Sequence, residues 1–131
     1  GVAPHDNSFF FSGRVKDGLM LVVAHAFGFV STNDPRLEVS QICKSDYERT
    51  CLYFEKYGRV VRVDTVGVRT KSYTQRGGMQ SDMGTDRRRE CEASACAYLC
   101  KRFPYLLSLN KKKKSIFEEL RFRRIGGARG R

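Results

Sequence analysis

Apolar side chains recur at helical spacing along much of the chain. Between residues 15 and 30 they follow steps of three and four, and only His25 and Gly28 interrupt the run after residue 19. This pattern predicts a helix over 15–30, with His25 as a buried core histidine. The apolar run over 19–30 would span about 18 Å as a helix, which is too short to cross a bilayer. It fits either the central helix of a bundle or a membrane-seeking segment.

A second helix start follows the apolar run. Asp34 is a favoured N-cap residue, and Pro35 suits the first helical position. We therefore predict a short helix over 35–42, whose apolar side holds Leu37, Val39 and Ile42.

The third predicted helix is the longest. Ser45 and Glu48 are spaced as a capping box, and an amphipathic stripe continues from there to residue 68. The stretch 59–70 is rich in β-branched residues, however, and partly alternates, which is typical of a strand. Because the stripe is unbroken, we predict a helix over 45–68 and keep a strand over 59–70 as the alternative.

Two more helices are predicted in the C-terminal half. Residues 86–102 carry glutamates early and cations late, as the helix dipole favours, and Pro104 ends the helix. Ser115 and Glu118 have capping-box spacing, which predicts a last helix over 115–120.

These elements predict an all-α fold, a single-domain bundle of about five helices with one long helix. A chain of 131 residues fits one domain, assigned here to 1–131. Within it, residues 1–13 are predicted to form an irregular N-terminal arm, and residues 125–131 a flexible basic tail.

Charge is distributed unevenly along this chain. The net charge is +11, but residues 1–50 carry five cations and six carboxylates, so the excess lies in residues 51–131. Such asymmetry favours a polyanionic partner, either an anionic membrane, an acidic glycoprotein or nucleic acid. Nucleic acid is the least favoured because no nucleic-acid-binding signature occurs and the basic runs lack interleaved aromatic residues.

The candidate binding residues are cations and a phenylalanine cluster. Each cation near an anionic surface contributes about 1 kcal/mol, and apolar groups can then enter the interface. The simpler interpretations are a solvated loop for the lysine run and core packing for the phenylalanines. The anion-binding candidates are Arg59, Arg62, Arg69, Arg87, Arg88, Arg89, Lys111, Lys112, Lys113, Lys114, Arg121, Arg123 and Arg124, and the membrane-inserting candidates are Phe9, Phe10 and Phe11.

Signals for catalysis, metals and cofactors are weak. The five cysteines lack the close pairs of a structural zinc site, so we predict buried small side chains and leave their pairing open. No hydrolase, metalloprotease or phosphate-loop motif occurs. The order Arg14, Ser31-Thr32, Glu90-x-Glu92 resembles the motif order of ADP-ribosyltransferases. The chain is short for that fold, however, and the two glutamates lie in a predicted helix. We predict a non-enzymatic protein with no cofactor, no metal and no small-molecule substrate.

One family shares local features with this chain. Leu52-Tyr53-Phe54 precedes Tyr57 and Arg59, Arg88-Arg89 precede Ala97-Tyr98-Leu99, and Pro104-Tyr105-Leu106 follows. With a basic five-helix layout, these motifs resemble the abalone sperm lysin family over about a third of the chain. The missing Trp and the five Cys place the resemblance nearer to the fusagenic acrosomal paralogue than to lysin itself.

The resemblance implies a secreted, non-enzymatic protein stored in the sperm acrosomal vesicle. Together with the charge, it predicts binding and perturbation of anionic membranes that promotes sperm–egg fusion. The alternatives are stoichiometric binding of an acidic egg-envelope glycoprotein and a basic nucleic-acid-binding domain. A homodimer is compatible with these functions.

Overall fold

The computed structural model shows a mixed α/β fold, so the predicted all-α, five-helix bundle is wrong. Two α-helices and five strands in two sheets lie within the residues that the structure describes. The helices are α1 (Ser45–Tyr57) and α2 (Met79–Arg102), and the strands are β1 (Val2–Ala3), β2 (Val15–Gly18), β3 (Val60–Gly67), β4 (Leu107–Leu109) and β5 (Leu120–Phe122). The described residues are 1–4, 7, 9, 11–69, 79–112 and 115–124.

Helix α1 begins at the predicted residue but lacks the predicted cap. Lys44, in the left-handed region, is the N-cap and makes no side-chain cap hydrogen bond. The carboxylate of Glu48 instead accepts hydrogen bonds from the Ser40 and Gln41 backbone N–H groups at 2.9 and 2.8 Å. Ser45 and Glu48 therefore do not form a capping box, because the buried carboxylate holds the preceding loop.

The long predicted helix ends halfway, at Gly58. This residue adopts a φ of 73° and donates its N–H to the Phe54 carbonyl at 2.7 Å, which closes α1. Residues 60–67 then form β3, so the strand alternative for 59–70 is the correct one. β-branched residues favour this outcome because their side chains pack well on a pleated surface with partners on both sides.

Strand β3 is central in a three-stranded sheet of order β1-β3-β2. Strand β1 pairs with it in parallel, and Val63 donates its N–H to the Gly1 carbonyl at 2.8 Å. Strand β2 pairs antiparallel, with Val15 opposite Val63 and Gly18 opposite Val60. The predicted irregular arm 1–13 thus contains one paired strand, and the predicted tail 125–131 lies outside the described residues.

The predicted helix over 15–30 is wrong. Its first four residues form β2, and the rest runs as extended chain and turns beside α1. The Val22 N–H donates to Thr50 Oγ1 at 3.3 Å, and Val23 is buried. His25 is exposed and is not a core histidine. The apolar run has helical spacing, but its valines and glycines also suit an extended segment lying against other elements.

The predicted helix over 35–42 shrinks to one 3₁₀ turn, Pro35–Leu37. The N-cap role of Asp34 is confirmed, since its side chain accepts from the Arg36 N–H at 3.0 Å. No helix continues from this turn, since the Ser40 and Gln41 backbone N–H groups donate to the Glu48 carboxylate.

Helix α2 confirms the prediction over 86–102. It is broken at Gly84, where φ is 70° and ψ is 171°, and it ends at Arg102 just before Phe103-Pro104. The predicted helix over 115–120 is wrong, because Leu120–Phe122 forms β5 and pairs antiparallel with β4.

The main core lies between the two helices and the β4–β5 hairpin. Its buried members include Leu52 from α1, Leu99 from α2 and Leu107 from β4. Cys51 and Cys96 are free and buried in this core, as predicted for small apolar side chains. A disulfide joins Cys43, just before α1, to Cys91 in α2, and so settles the pairing that the sequence left open.

A buried ion cluster on β3 makes stability depend on pH. Asp64 accepts from Arg62 Nε at 2.6 Å and pairs with Lys16 Nζ at 2.8 Å. The Arg62 hydrogen bond lowers the pKa of Asp64 well below its usual 3.8; burial opposes this and Lys16 adds to it. Asp64 therefore stabilises the fold above the unfolded pKa, and this stabilisation is lost as the pH falls towards the folded pKa.

We expect urea unfolding to show a free energy that falls as the pH drops below about 4. Asp64→Asn should be less stable than the native protein at neutral pH and lose less on acidification. Asp17→Asn, at an exposed ion pair on the same sheet, is the control and should keep the native slope. A native slope in Asp64→Asn would contradict the assignment.

Candidate anion-binding site

The described residues 105–112 and 115–124, here named the basic hairpin, include five of the predicted cations. Its strands pair Leu107 with Phe122, Ser108 with Arg121, and Leu109 with Leu120. Because side chains alternate between the two faces of a strand, the buried Leu107 and Leu120 leave Ser108 and Arg121 on the outer face. The cations are Lys111, Lys112, Arg121, Arg123 and Arg124.

Two of these cations are held by hydrogen bonds within the hairpin. Arg121 Nε donates to Ser108 Oγ at 3.1 Å, and Arg123 Nε donates to the Leu107 carbonyl at 3.0 Å. These acceptors are neutral, so both guanidinium groups keep their full charge for a partner. Lys111, Lys112 and Arg124 are exposed and form no ion pair with the described part of the chain.

Exposed apolar groups lie in the same segment. Tyr105 is 85% exposed, Ile116 is 68% exposed, and Leu109 is 36% exposed. Sequence reasoning selected neither as a binding residue, because Ile116 was assigned to the apolar side of the last predicted helix and Tyr105 entered only through the Pro104-Tyr105-Leu106 motif. A signal was present, since both residues lie close to the lysine run.

A buried ion cluster anchors the hairpin to the two helices. Lys44 Nζ lies 2.9 Å from Glu92 Oε2 on α2 and 3.7 Å from Glu119 Oε2 on the hairpin. Burial disfavours the charged lysine, but the Glu92 hydrogen bond and the two carboxylates outweigh it, so the pKa of Lys44 is raised. The cluster therefore positions the hairpin without using any of its exposed cations.

The three predicted arginines of α2 are divided. Arg88 is largely buried, lies 3.4 Å from Glu92 Oε1, and stacks over the Phe117 ring at 4.8 Å. It therefore ties α2 to the hairpin loop. Arg87 and Arg89 are exposed, and Arg89 pairs with Asp86 at 3.7 Å.

Three predicted arginines lie in or next to β3, in the three-stranded sheet and not in the basic hairpin. Arg62 is an internal partner of Asp64, as described above, and Arg59 makes an exposed 3.7 Å pair with Asp17. Arg69 is exposed beyond the end of β3. Within the part of the chain that the structure describes, the predicted cations lie on separate surfaces, and only the basic hairpin contains several of them together with exposed apolar groups.

The predicted phenylalanine cluster is only partly described. Phe9 is 85% exposed, and Phe11 is partly buried. Phe10, Lys113 and Lys114 lie outside the described residues.

No family model, curated protein or solved structure matches the chain. In the described part of the chain, no helix has the length and apolarity to span a bilayer. The described residues also include no group of three His, Cys, Asp or Glu side chains placed to hold a metal ion. Glu92, one member of the ADP-ribosyltransferase-like pattern, is buried in ion pairs with Lys44 and Arg88.

A second feature that the sequence did not predict is an aromatic groove beside α1. Phe29 meets Tyr53 of the helix edge-on, and Phe27, Tyr57 and Arg49 also line the groove. The spacing of Tyr53 and Tyr57 places them on one helix face, which was a usable signal. The phenylalanines gave none, because their segment was assigned to a helix.

Proposed function

We propose that this is a secreted, non-enzymatic protein that binds anionic lipid surfaces through the basic hairpin. One observation carries the proposal: Tyr105 and Ile116 are widely exposed within the same segment as five cations. Apolar side chains beside Lys and Arg are typical of interfacial membrane binding, where the cations attract anionic headgroups and the apolar groups enter the boundary.

Secretion is supported by the Cys43–Cys91 disulfide. Disulfides persist mainly in oxidising compartments and are rare in the cytosol. The acrosomal role in sperm–egg fusion stays a prediction. The five-helix layout no longer supports this role, because the resemblance to the lysin family relied on a helical bundle that this chain does not form.

The charge part of the proposal predicts a loss of binding in the triple variant K111Q/K112Q/R124Q. These cations are exposed, so their loss should leave the fold intact. At about 1 kcal/mol for each cation, affinity for phosphatidylcholine vesicles containing phosphatidylserine should fall about 100-fold at low salt. Vesicle co-sedimentation measures it, and added salt should weaken native binding because it screens exposed charges.

The triple variant R14Q/R87Q/K101Q is the matched control. It removes the same charge from exposed positions outside the hairpin and should lose much less affinity. An equal loss of affinity in both variants would show that binding depends on net charge alone, and it would overturn the hairpin assignment.

The apolar part is tested by a matched pair of isoleucines. Ile116 is 68% and Ile42 is 69% exposed, and only Ile116 lies in the hairpin. Ile116→Ser should weaken vesicle binding about tenfold, because burying an isoleucine in the interface is worth about 1.5 kcal/mol. Ile42→Ser should leave it unchanged. Native protein that binds heparin or duplex RNA but not these vesicles would contradict the membrane proposal.

A further inference from the structure

An open groove of about 580 Å³ lies between α1, the extended segment 27–30 and the start of β3. Four aromatic rings follow one another along its wall, and each neighbouring pair has its ring centroids 5.9 Å apart. Phe27 stacks on Phe29, Phe29 meets Tyr53 edge-on, and Tyr53 is tilted against Tyr57. Val60, Val61 and Val63 of β3 also line the groove.

The groove has the size and lining of a ligand site. Protein interiors leave few voids larger than a water molecule, whereas small-molecule sites measure about 300–1,000 Å³ and are mostly apolar. Phe29 is 56% exposed in this wall, so the rings present apolar area to solvent that a ligand would cover. None of the lining residues belongs to the basic hairpin, so the groove is separate from the proposed membrane site.

Two arginines line the groove. Arg59 already pairs with Asp17 at 3.7 Å, which leaves Arg49 as the candidate for binding a ligand anion. Its guanidinium carbon lies 4.5 Å from the Phe27 ring centroid, and the side chain is partly buried at the groove wall. It makes no ion pair or hydrogen bond with the described residues. The comparably placed Arg62 and Arg88 both have carboxylate partners. A partly buried guanidinium without an anion is a ready partner for a carboxylate, which it can bind through two parallel hydrogen bonds.

We propose that the groove binds a long-chain carboxylate of the fatty-acid class, with the carboxylate on Arg49 and the hydrocarbon chain along the four rings. The complementarity is twofold: Arg49 has no carboxylate partner among the described residues, and the apolar wall adjoins it. This ligand class combines one negative charge with an apolar chain, whereas a neutral lipid would leave Arg49 without a partner.

The test uses no vesicles. Fluorescent cis-parinarate is bound to the full chain and displaced by oleate or by oleyl alcohol, which has the same chain without the charge. Oleate should displace the probe at least tenfold more effectively than the alcohol, as expected for a charge-assisted hydrogen bond. Arg49→Met, which keeps the apolar stem, should lose this preference, and Arg49→Lys should restore part of it. Arg14→Met is the control and should behave like the native protein.

The apolar wall is tested with exposed phenylalanines, which can be replaced with little effect on folding. Phe29→Ser should weaken oleate and oleyl alcohol alike by about tenfold, whereas Phe9→Ser, outside the groove, should change neither. Failure of oleate to displace the probe, or an unchanged preference in Arg49→Met, would overturn the proposal. The variant K111Q/K112Q/R124Q should bind oleate normally, so failure here is distinguishable from failure of the membrane proposal.

Discussion

Replacing Glu48 by alanine is expected to lower the free energy of unfolding by about 3 kcal/mol, because buried polar groups would lose their acceptor. Glu48 is fully buried in α1. Its carboxylate accepts from the backbone N–H groups of Ser40 and Gln41, from Ser40 Oγ at 2.7 Å, and from Arg102 at 3.4 Å. It therefore fixes the loop before α1 to both helices.

Urea unfolding followed by far-UV circular dichroism measures this effect. Glu55→Ala is the matched control, since Glu55 is an exposed glutamate on the same helix, and its stability should stay within about 0.5 kcal/mol of the native value. Glu48→Gln keeps one acceptor oxygen and should fall between the two. A Glu48→Ala variant as stable as Glu55→Ala would show that the carboxylate does not hold the loop.

Loss of the Cys43–Cys91 disulfide is expected to cost about 4 kcal/mol. The two cysteines are 48 residues apart, and a cross-link closing a loop of that length removes a large amount of conformational freedom from the unfolded chain. It also connects the segment before α1 to the middle of α2. The double variant C43A/C91A should therefore unfold at a much lower denaturant concentration than the native protein.

Reductant supplies the control for this prediction. It should lower the stability of the native protein and leave that of C43A/C91A unchanged. Burial raises the pKa of the Cys51 and Cys96 thiols to about 12, so neither forms an appreciable thiolate that could exchange with the disulfide at neutral pH. Equal stability of the native protein with and without reductant would contradict the prediction.

The candidate site was predictable in composition but not in arrangement. The one-sided charge pointed to the C-terminal cations, and the structure places five of them in the basic hairpin. It also shows that Arg62 and Arg88 have internal carboxylate partners, Asp64 and Glu92. Both partners are close in sequence, since Asp64 follows Arg62 by two residues and Glu92 follows Arg88 by one helical turn, so these pairs were a usable local signal. The contact between Lys44 and Glu119 was not, because packing brings together residues far apart in the chain.

The aromatic groove could not be predicted from the sequence, because packing brings its two sides together. Its rings come from the extended segment 27–30 and from α1, and the local spacing of that segment favoured a helix. Only its placement along α1, through contacts such as Val22 N–H to Thr50 Oγ1, brings Phe29 against Tyr53.

The sequence by itself determined where α1 begins, that residues 86–102 are helical and end before Pro104, and that Asp34 caps a turn at Pro35, whereas the start of α2 at Met79 was not predicted. Helical hydrogen bonds join residues four apart, so caps, periodicity and a terminating proline are all local signals. Only the tertiary structure decided the strands, the disulfide and the Glu48 contacts. Strand β3 needs partners from β1 and β2, far away in the chain, and its β-branched residues form a strand because packing supplies those partners.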